Sequence, residues 1–566
     1  MRRKKKILTA VLLCMSMAVS CLTGCGGGSS VSLFTEGEAN FIIVRSADAD
    51  SVTAEIAGNL RETIKEKLGV TVNYKPDTIK HTDGQLEINI GITNRPDSQA
   101  VYDEVANESK TNSMDYIIKH TGDYIYIVGM SSEALQNAVD YFAENFLSDT
   151  KGSVAGNYNY IHNYKGNGKM FSINGSTELA SYKIVTPKYN MSYLVGREIE
   201  TLNNNLMIAN GVLLEEITDW DEESECEIII DHTTREGAPQ PKDSDEYRIK
   251  VDGTKVYLIG GSTEATAVAV KEFNQMIADG GSIDENTDIT GSYAETTKKY
   301  DDYYAMTWND EFDSFDSSKW RFMQGKTTNG ILPEGDTRYT NYTDSPKNHW
   351  YEDGKLYMKA TMESDRYDSP EIRTDHSTWF KYGLIETSVQ IKNGHGQGAA
   401  FWLLGNSAQD YYAEIDIYEA SGNFAKFTPL SWVSKALQGQ GINSGTYYCD
   451  FQGDIKVYDG GTKGDTYFRF EGDDMGEYFH TFGIEWTEDS MTSFVDGRKF
   501  IRINTTVDER AVATFNNYMQ IILAHGGGGV TAGIQVVDET SDWENNFSCF
   551  DYIRLYQTSI GEIKYR

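Results

Sequence analysis

The segment Glu414-Ile415-Asp416-Ile417-Tyr418-Glu419 carries three carboxylates in an otherwise apolar setting with strand character. Side chains alternate between the two faces of a strand, so Glu414 and Asp416 share one face and the two isoleucines take the other. Strict alternation would send Glu419 to the apolar face. A one-residue β-bulge near Tyr418 would return Glu419 to the carboxylate face, and bulges of this kind are common beside active sites. The segment therefore predicts a bulged strand.

Three acids that face one groove cannot all stay ionised without repelling each other. This repulsion raises the pKa of at least one of them, as a general acid working near neutral pH requires. The alternative is a solvated strand face with its acids outward, but surface strands seldom combine three acids with three apolar or aromatic residues. The segment is therefore interpreted as a site of acid–base chemistry.

The chain begins like a bacterial lipoprotein. A cluster of arginine and lysine precedes the apolar run Ile7–Val19, which is too short to span a bilayer as an ordinary helix. The next residues, Leu22-Thr23-Gly24-Cys25, resemble a lipobox. This resemblance implies that residues 1–24 are a signal peptide and that lipid on Cys25 anchors the protein to the membrane at the bacterial cell surface. Residues 25–38 then form a flexible tether. A plain secretory signal with a chance cysteine is the alternative.

The composition narrows the class of partner. A net charge of −34 argues against nucleic acid and anionic lipid surfaces as partners. The 36 tyrosines and 9 tryptophans suit stacking on sugars, although core packing accounts for most aromatic residues in most proteins. Cys226, Cys449 and Cys549 stand at no metal spacing, and both a Cys449–Cys549 disulfide and buried free thiols are open. We expect a monomer whose chemistry requires no cofactor.

An internal repeat runs through the first half of the chain. The segment Tyr124–Gly129 recurs as Lys255–Gly260, and Glu87–Arg95 recurs as Glu227–Arg235. Each copy reads as strands followed by a helix, with Ser131 and Ser262 as N-caps. The repeat predicts two small α/β modules, each with helices on a mixed sheet, over residues 39–164 and 179–295, joined by a linker over 165–178.

The two copies resemble the auxiliary α/β domain that precedes the catalytic domain in family 20 hexosaminidases and α-glucuronidases. The likeness rests on the strand-Gly-Ser-helix block and on the turn Thr-x-Arg, and it implies no catalysis. Arg95 and Arg235 end these turns. They are predicted to make structural contacts at a strand end, and a sugar-binding role is the alternative.

Beyond residue 300 the sequence changes to short alternating strands with frequent Gly, Asn and Asp turns, which predicts an all-β sandwich over residues 300–560. Several of these strands stand in the order found in glycoside hydrolase family 16, a β-jelly-roll family of retaining endo-glycanases that this part of the chain resembles. The strands are Trp308–Phe312, Asp353–Leu356, Ile372–Thr374, Tyr382–Glu386, Ala400–Leu404, His480–Trp486, Phe494–Gly497 and Asp551–Arg554.

The resemblance gives each acid of the opening segment a role. It implies that Glu414 is the nucleophile, that Glu419 is the general acid/base, and that Asp416 steadies the charge of Glu414. The spacing Glu-x-Asp-x-x-Glu is the bulged motif of the laminarinase-like and galactanase-like branches. Two carboxyl groups about 5–5.5 Å apart are the arrangement of a retaining glycosidase.

Other site residues follow from the same resemblance. Arg373 is predicted to reach the sugar beside the scissile bond, with a surface salt bridge as the alternative. Trp402 is predicted to form the bottom of the substrate cleft, with a place in the apolar core as the alternative. His480 is predicted to be structural. Weaker candidates for sugar stacking are Trp379, Tyr412 and Trp432. Family members that bind calcium imply a structural calcium site, which would here use Glu311, Gly354 and Asp551.

Two departures from laminarinases leave open which sugar the substrate contains. A Trp-Pro pair is replaced by Gly396–Ala399, and a late tryptophan is replaced within Gly526–Val530. We therefore expect a surface-anchored endo-β-glycosidase that hydrolyses internal linkages of a polysaccharide, either a β-1,3-containing glucan or a neutral β-galactan. The alternatives are a non-catalytic carbohydrate-binding lipoprotein and a transglycosylase that remodels an envelope glycan.

Overall fold

The computed structural model describes residues 30–47, 49, 51–109, 114–164, 166–300, 302–327, 338–392, 396–405, 411–421, 432–433, 438–441, 445–446, 474–504, 512, 515–527 and 541–565. The predicted signal peptide, Cys25 and Cys449 lie outside these residues, and Cys226 and Cys549 are free thiols. Within the described part of the chain, no helix has both the length and the apolar character needed to cross a membrane.

The first module folds around a six-stranded sheet with three helices. In chain order its elements are β1 (Phe41–Arg45), α1 (Ser51–Leu68), β2 (Asn73–Pro76), β3 (Leu86–Ile90), α2 (Ser98–Ser109), β4 (Tyr116–Thr121), β5 (Tyr124–Gly129), α3 (Ser132–Phe146) and β6 (Asn159–His162). The strand order is β2-β1-β3-β5-β4-β6. The Ser131 hydroxyl accepts a hydrogen bond from the N–H of Ala134 (3.1 Å), which confirms it as the N-cap of α3.

The second module repeats this sheet with two of the three helices, because residues 231–245 form no counterpart of α2. Its elements are β7 (Tyr182–Thr186), α4 (Tyr193–Asn210), β8 (Glu215–Thr218), β9 (Cys226–Ile230), β10 (Glu246–Asp252), β11 (Lys255–Gly260), α5 (Thr263–Ala278) and β12 (Asp288–Ser292). The strand order is β8-β7-β9-β11-β10-β12, so the two sheets have the same topology. Ser262 caps α5 as Ser131 caps α3. The sequence repeat is therefore a repeat of the fold.

The two arginines that end the repeated turns are structural, as predicted. Arg95 donates to Glu87 Oε2 (2.6 Å) and to the carbonyl of Asp77 (2.7 Å), and its side chain is buried. Arg235 lies 3.4 Å from Glu227 and donates to the carbonyl of Asp219. Both guanidinium groups tie a loop to a strand of their own module.

The described residues from Ala305 to Tyr565 form the all-β sandwich that the sequence predicts. Val31–Ser32 and Ser172–Ile173, in the predicted tether and linker, instead pair with strands of the first and second modules and lie outside the sandwich. In chain order its strands are β13 (Ala305–Asp310), β14 (Arg321–Phe322), β15 (Gly325–Thr327), β16 (Tyr339–Tyr342), β17 (His349–Glu352), β18 (Lys355–Met358), β19 (Thr361–Met362), β20 (Arg366–Ser369), β21 (Glu371–Arg373), β22 (Thr378–Lys381), β23 (Gly383–Lys392), β24 (Gln397–Gly405), β25 (Tyr411–Ser421), β26 (Trp432–Val433), β27 (Gln438–Gly441), β28 (Gly445–Thr446), β29 (His480–Trp486), β30 (Ser490–Val495), β31 (Arg498–Asn504), β32 (Met519–Gly527), β33 (Phe547–Gln557) and β34 (Glu562–Tyr565).

Two of its sheets pack face to face. The front sheet has the order β14-β21-β32-β24-β25-β27-β28, and the back sheet has the order β17-β18-β33-β23-β29-β30-β31. Apolar side chains from both sheets meet in one core, among them Phe401 and Ile415 from the front and Ile385 and Phe482 from the back. The bulky aliphatic and aromatic residues of each alternating strand therefore fill the space between the sheets.

The second module packs on the outer face of the back sheet. Leu384, Phe494 and Tyr556 of the sandwich belong to the same apolar cluster as the core of that module. The Tyr193 ring stacks on Phe494 with 4.4 Å between centroids. A β-carbon at Gly196 would lie 1.8 Å from the carbonyl oxygen of Gly497, so the two backbones touch. Strand β23, which alternates in sequence, is consequently buried on both faces along most of its length.

Candidate active site

The segment with three acids lies in β25, and β25 has the bulge that the sequence predicts. Phe401 of β24 is paired with Tyr418, whereas the next residue, Trp402, is paired with Asp416. Ile417 is therefore the extra residue, directly beside the predicted position. Ile417 and Tyr418 are both buried in the core between the sheets. The alternation shifts by one at this point, which returns position 419 to the side of Glu414 and Asp416.

Cross-strand pairing shows which residues share the face of the front sheet that points away from the core, here called the open face. Half-buried Ala400, Trp402 and Leu404 alternate along β24 with buried Phe401 and Leu403. Directly paired residues point to the same side of a sheet. Three rows cross the open face, namely Glu419–Ala400–Ala524–Glu371, Asp416–Trp402–Ile522–Arg373 and Glu414–Leu404–Gln520.

The three acids of β25 thus start from adjacent positions on one face. Asp416 is 4% exposed and Glu414 is half-buried, so Asp416 lies deeper than its neighbour. Position 419 is described through its backbone, opposite Ala400. A buried carboxylate next to a second one strengthens the local negative field.

The front sheet adds a buried ion pair beside these acids. Arg373 donates to Glu371 Oε1 (2.5 Å), and the guanidinium lies 5.7 Å from the ring centroid of Trp402. Burial raises the pKa of Glu371, and the neighbouring Arg373 opposes that rise. The Arg373 side chain forms a salt bridge, but this salt bridge is not on the solvent-exposed surface that the alternative assumes. It lies on the open face of the front sheet, beside the acids of β25. Trp402 lies outside the apolar core cluster, in the same cross-strand row as Arg373.

Glu371 is a site residue that the sequence reasoning missed. Its signal was the spacing Glu371-Ile372-Arg373, because residues two apart on a strand share a face. The pair places one acid in the same cross-strand row as position 419 and one cation in the row of Asp416. The open face therefore holds both charged and aromatic groups for a polar ligand.

Other predicted residues lie elsewhere. Trp379 is 5% exposed, and its indole N–H donates to the carbonyl of Asp375 (2.8 Å), so it offers no ring face for sugar stacking. The side chains of Tyr412 and Trp432 lie outside the described residues, although their backbones pair within the front sheet. His480 is structural, as predicted, since it is buried in the back sheet with Nδ1 2.8 Å from Asp496 Oδ2.

The residues predicted to hold calcium do not fit a calcium site in this arrangement. Arg554 donates to both oxygens of Glu311 (2.9 and 2.7 Å), and Lys355 lies 3.4 Å from Asp551 near Gly354 in the hairpin. Burial acts to raise the pKa of Glu311, but the hydrogen bonds from Arg554 and Asn309 and the charge of Arg554 together outweigh it, and the pKa falls. Among the described residues, no three His, Cys, Asp or Glu side chains are grouped to hold a metal ion. The hard oxygen donors that calcium needs are occupied by cations.

The two-sheet sandwich thus carries three acidic positions on one strand and an arginine–tryptophan pair beside them. Residues 337–551 match the model described as glycosyl hydrolases family 16, which confirms the predicted family for this part of the chain. The rest of the chain, including both modules and the start, lies outside that match.

Individual relatives are similar to less than half of the chain. Glucan endo-1,3-beta-glucosidase A1 of Niallia circulans is 27% identical over 282 residues, covering 44% of this chain and 38% of the relative. Clotting factor G alpha subunit of Tachypleus tridentatus is 24% identical over 261 residues, covering 45% of this chain and 34% of the relative. The chain thus spans less than half the length of these relatives.

Solved structures also align with part of the chain. The catalytic domain of an endo-1,3-beta-glucanase (laminarinase) from Thermotoga petrophila RKU-1 has 24% sequence identity and a TM-score of 0.35. The alignment covers 46% of this chain and 99% of that domain.

Proposed function

We propose that the protein is a retaining endo-β-glycosidase that hydrolyses internal linkages of a β-1,3-containing glucan or a neutral β-galactan. The observation that carries the proposal is the bulge at Ile417, which puts positions 414, 416 and 419 on the open face. A β-bulge that aligns three acids on one face of a strand is suited to chemistry rather than to packing.

In the proposed reaction Glu419 protonates the oxygen of the glycosidic bond as that bond breaks. Glu414 attacks the anomeric carbon from the other side and forms a glycosyl-enzyme ester. Glu419, now ionised, takes a proton from water, and the resulting hydroxide displaces Glu414 and releases the sugar with its original anomeric configuration. Buried Asp416 is the group that positions Glu414 between these steps.

The neighbouring ion pair supports sugar binding next to the acids. Glu371 holds the Arg373 guanidinium over Trp402, which leaves a ring and charged hydrogen-bonding groups side by side on the open face. Such a combination suits one sugar ring with its hydroxyl groups. The name of the Niallia circulans relative favours a β-1,3-glucan, whereas the replaced tryptophans favour a different neutral glycan.

The remaining parts of the proposal concern location. Lipid on Cys25 would hold the protein at the bacterial cell surface. The tether predicted over residues 25–38 is shorter than expected, because Val31 and Ser32 pair with Val154 and Ser153 and Leu33 is buried in the core of the first module, so the glycine-rich residues before Val31 would link the folded part to the membrane. The two modules, which resemble auxiliary domains of family 20 hexosaminidases, would then stand between the anchor and the sandwich. No chemistry is assigned to them.

The test is a panel of laminarin, lichenan, agarose and mucin-type glycans with analysis of the products. We expect new reducing ends on at least one glycan and β-anomers as the first products by NMR. Glu414→Gln and Glu419→Gln should each lower the rate at least about a thousandfold with unchanged unfolding temperature. Glu488→Gln, at an exposed turn of the back sheet, is the matched control.

Other results would redirect the proposal. Longer chains instead of new reducing ends would make the protein a transglycosylase, and binding without products would make it a carbohydrate-binding lipoprotein. Wild-type turnover by either active-site variant would refute the assignment of the acids.

A further inference from the structure

Trp220 is an exposed aromatic residue on a turn of the second module, and no part of the proposed reaction uses it. It follows β8, and 53% of its surface is exposed. The carboxylate of the preceding Asp219 accepts from the backbone N–H groups of Lys188 (3.0 Å) and Thr234 (2.9 Å). Arg235 donates to the carbonyl groups on either side of Trp220 (3.1 and 3.0 Å). Polar contacts thus fix the turn, and the turn presents the indole to solvent.

The first module contains the same turn without an aromatic residue. There Asp77 and Arg95 make the equivalent contacts to the backbone. Exposed Thr78 stands where the second module has Trp220. The turn therefore forms without a ring at this position, and neither its geometry nor the core of the module accounts for the indole.

Two further rings join Trp220 across the boundary between the second module and the sandwich. The ring centroids of Tyr189, in the module, and Tyr478, in the sandwich, lie 5.5 and 5.3 Å from that of Trp220. The two tyrosines are 5.1 Å apart and half-buried, so each ring contacts the other two. These three residues are called the aromatic platform. A contiguous group of exposed rings often marks a binding surface, whereas a single exposed apolar residue does not.

One face of the indole is open to a ligand. The Lys188 ammonium lies 4.0 Å from the ring centroid of Trp220 and 4.8 Å from that of Tyr189, so it covers one face of the indole at the corner between the two rings. Tyr189 and Tyr478 stand at 70° and 78° to the indole, so neither stacks flat on it. Because more than half of the surface of Trp220 is exposed, the face opposite Lys188 is open to solvent.

The charges around the aromatic platform disfavour an ionic ligand of either sign. The ammonium of Lys188 beside the rings would repel a cation. Trp220 is followed by the exposed acids Asp221, Glu222 and Glu223, which would repel a sulfated or uronic acid glycan. An open indole face in this setting suits a neutral sugar, because the apolar C–H face of a sugar packs on an aromatic ring.

We propose that the aromatic platform is a surface site that binds a neutral polysaccharide through Trp220. The choice of polysaccharide rests on the proposed function, since the site would hold the glycan that the open face cuts. Tyr478 lies two residues before β29 of the back sheet, whereas the acids of β25 lie on the front sheet. A short oligosaccharide would therefore not contact both sites. The platform would keep the protein on an insoluble glycan rather than position the bond that is cut.

The experiment measures how much of the full chain is removed from solution by particles of insoluble β-1,3-glucan and, separately, of agarose. Every protein carries Glu414→Gln, so that the particles are not consumed. We expect this parent protein to bind one of the two glycans. Trp220→Thr introduces the residue of the first module and should weaken that binding about tenfold without lowering the unfolding temperature. Trp220→Phe keeps a ring and should weaken it less than about threefold.

Tyr565→Thr is the matched control, because Tyr565 is 67% exposed on β34 and lies outside the aromatic platform. It should leave binding unchanged. A parent protein that binds neither glycan, unchanged binding by Trp220→Thr, or an equal loss in Tyr565→Thr would overturn the proposal. Hydrolysis of a glycan by the wild type with unchanged binding by Trp220→Thr would reject the platform alone. Weaker binding by Trp220→Thr without hydrolysis of any glycan by the wild type would reject the proposed function alone.

Discussion

Glu386 gives the junction between the second module and the sandwich a dependence on pH. It lies on β23, fully buried at the start of α4, where the backbone N–H of Tyr193 donates to its carboxylate (3.1 Å). Burial raises the pKa of Glu386 to about 7, against the hydrogen bonds from Ser192 and Tyr193 and the charge of Arg554. The carboxylate of Glu264 adds to the rise.

The magnitude follows from the shift between 4.5 and about 7. Each pKa unit is worth about 1.4 kcal/mol, so the protonated form contributes about 3 kcal/mol to the free energy of unfolding. Because the pKa is raised in the folded state, this contribution is fully present below pH 4.5 and is lost as the pH rises through 7. Glu386→Gln stays neutral and should not show this loss.

The assay is urea unfolding of the full chain, wild type and Glu386→Gln, from pH 4 to pH 8. The difference in unfolding free energy between the two proteins should change by about 3 kcal/mol over this range, in favour of the variant at high pH. Glu488→Gln, at an exposed glutamate, should follow the wild type at every pH. Parallel curves for wild type and Glu386→Gln would refute the reasoning.

Two further variants test packing and the open face. Gly196→Ala puts a β-carbon 1.8 Å from the carbonyl of Gly497 and should cost at least about 2 kcal/mol in urea unfolding. Gly58→Ala in α1, where nothing lies within 4 Å, should instead stabilise by about 0.5–1 kcal/mol, and equal effects of the two would contradict the close approach. Arg373→Lys loses the planar group beside Trp402 and should lower kcat/KM about tenfold on the preferred glycan, while an unchanged kcat/KM would remove Arg373 from sugar binding.

The sequence predicted the bulge in the acidic strand β25, but it did not predict the site residue Glu371 on a neighbouring part of the front sheet. The bulge was predictable because only one extra residue reconciles the acids at 414 and 419 with strand alternation, and it lies at Ile417. Glu371 was missed because a glutamate two residues from an arginine reads as an ordinary surface pair. Its burial depends on strands far away in sequence.

Strand β23 shows a second limit. Its alternating pattern predicts one buried face, which is correct for the side that carries Ile385 and Val389. The polar residues between them are buried as well, because the second module covers them. The alternating pattern indicates which face of the strand packs against the sandwich core. It does not predict that the second module packs on the opposite face.

The bulge in β25 also bears on how such a groove can evolve. If Ile417 were deleted, Tyr418 would take over the inward position, and positions 414, 416 and 419 would still alternate toward the open face. Loss or gain of one codon there changes the distance between the outer acids along the strand but not the side on which they stand. A lineage could therefore adjust the spacing of its acids in a single mutational step, which also adds or removes one side chain in the core behind them.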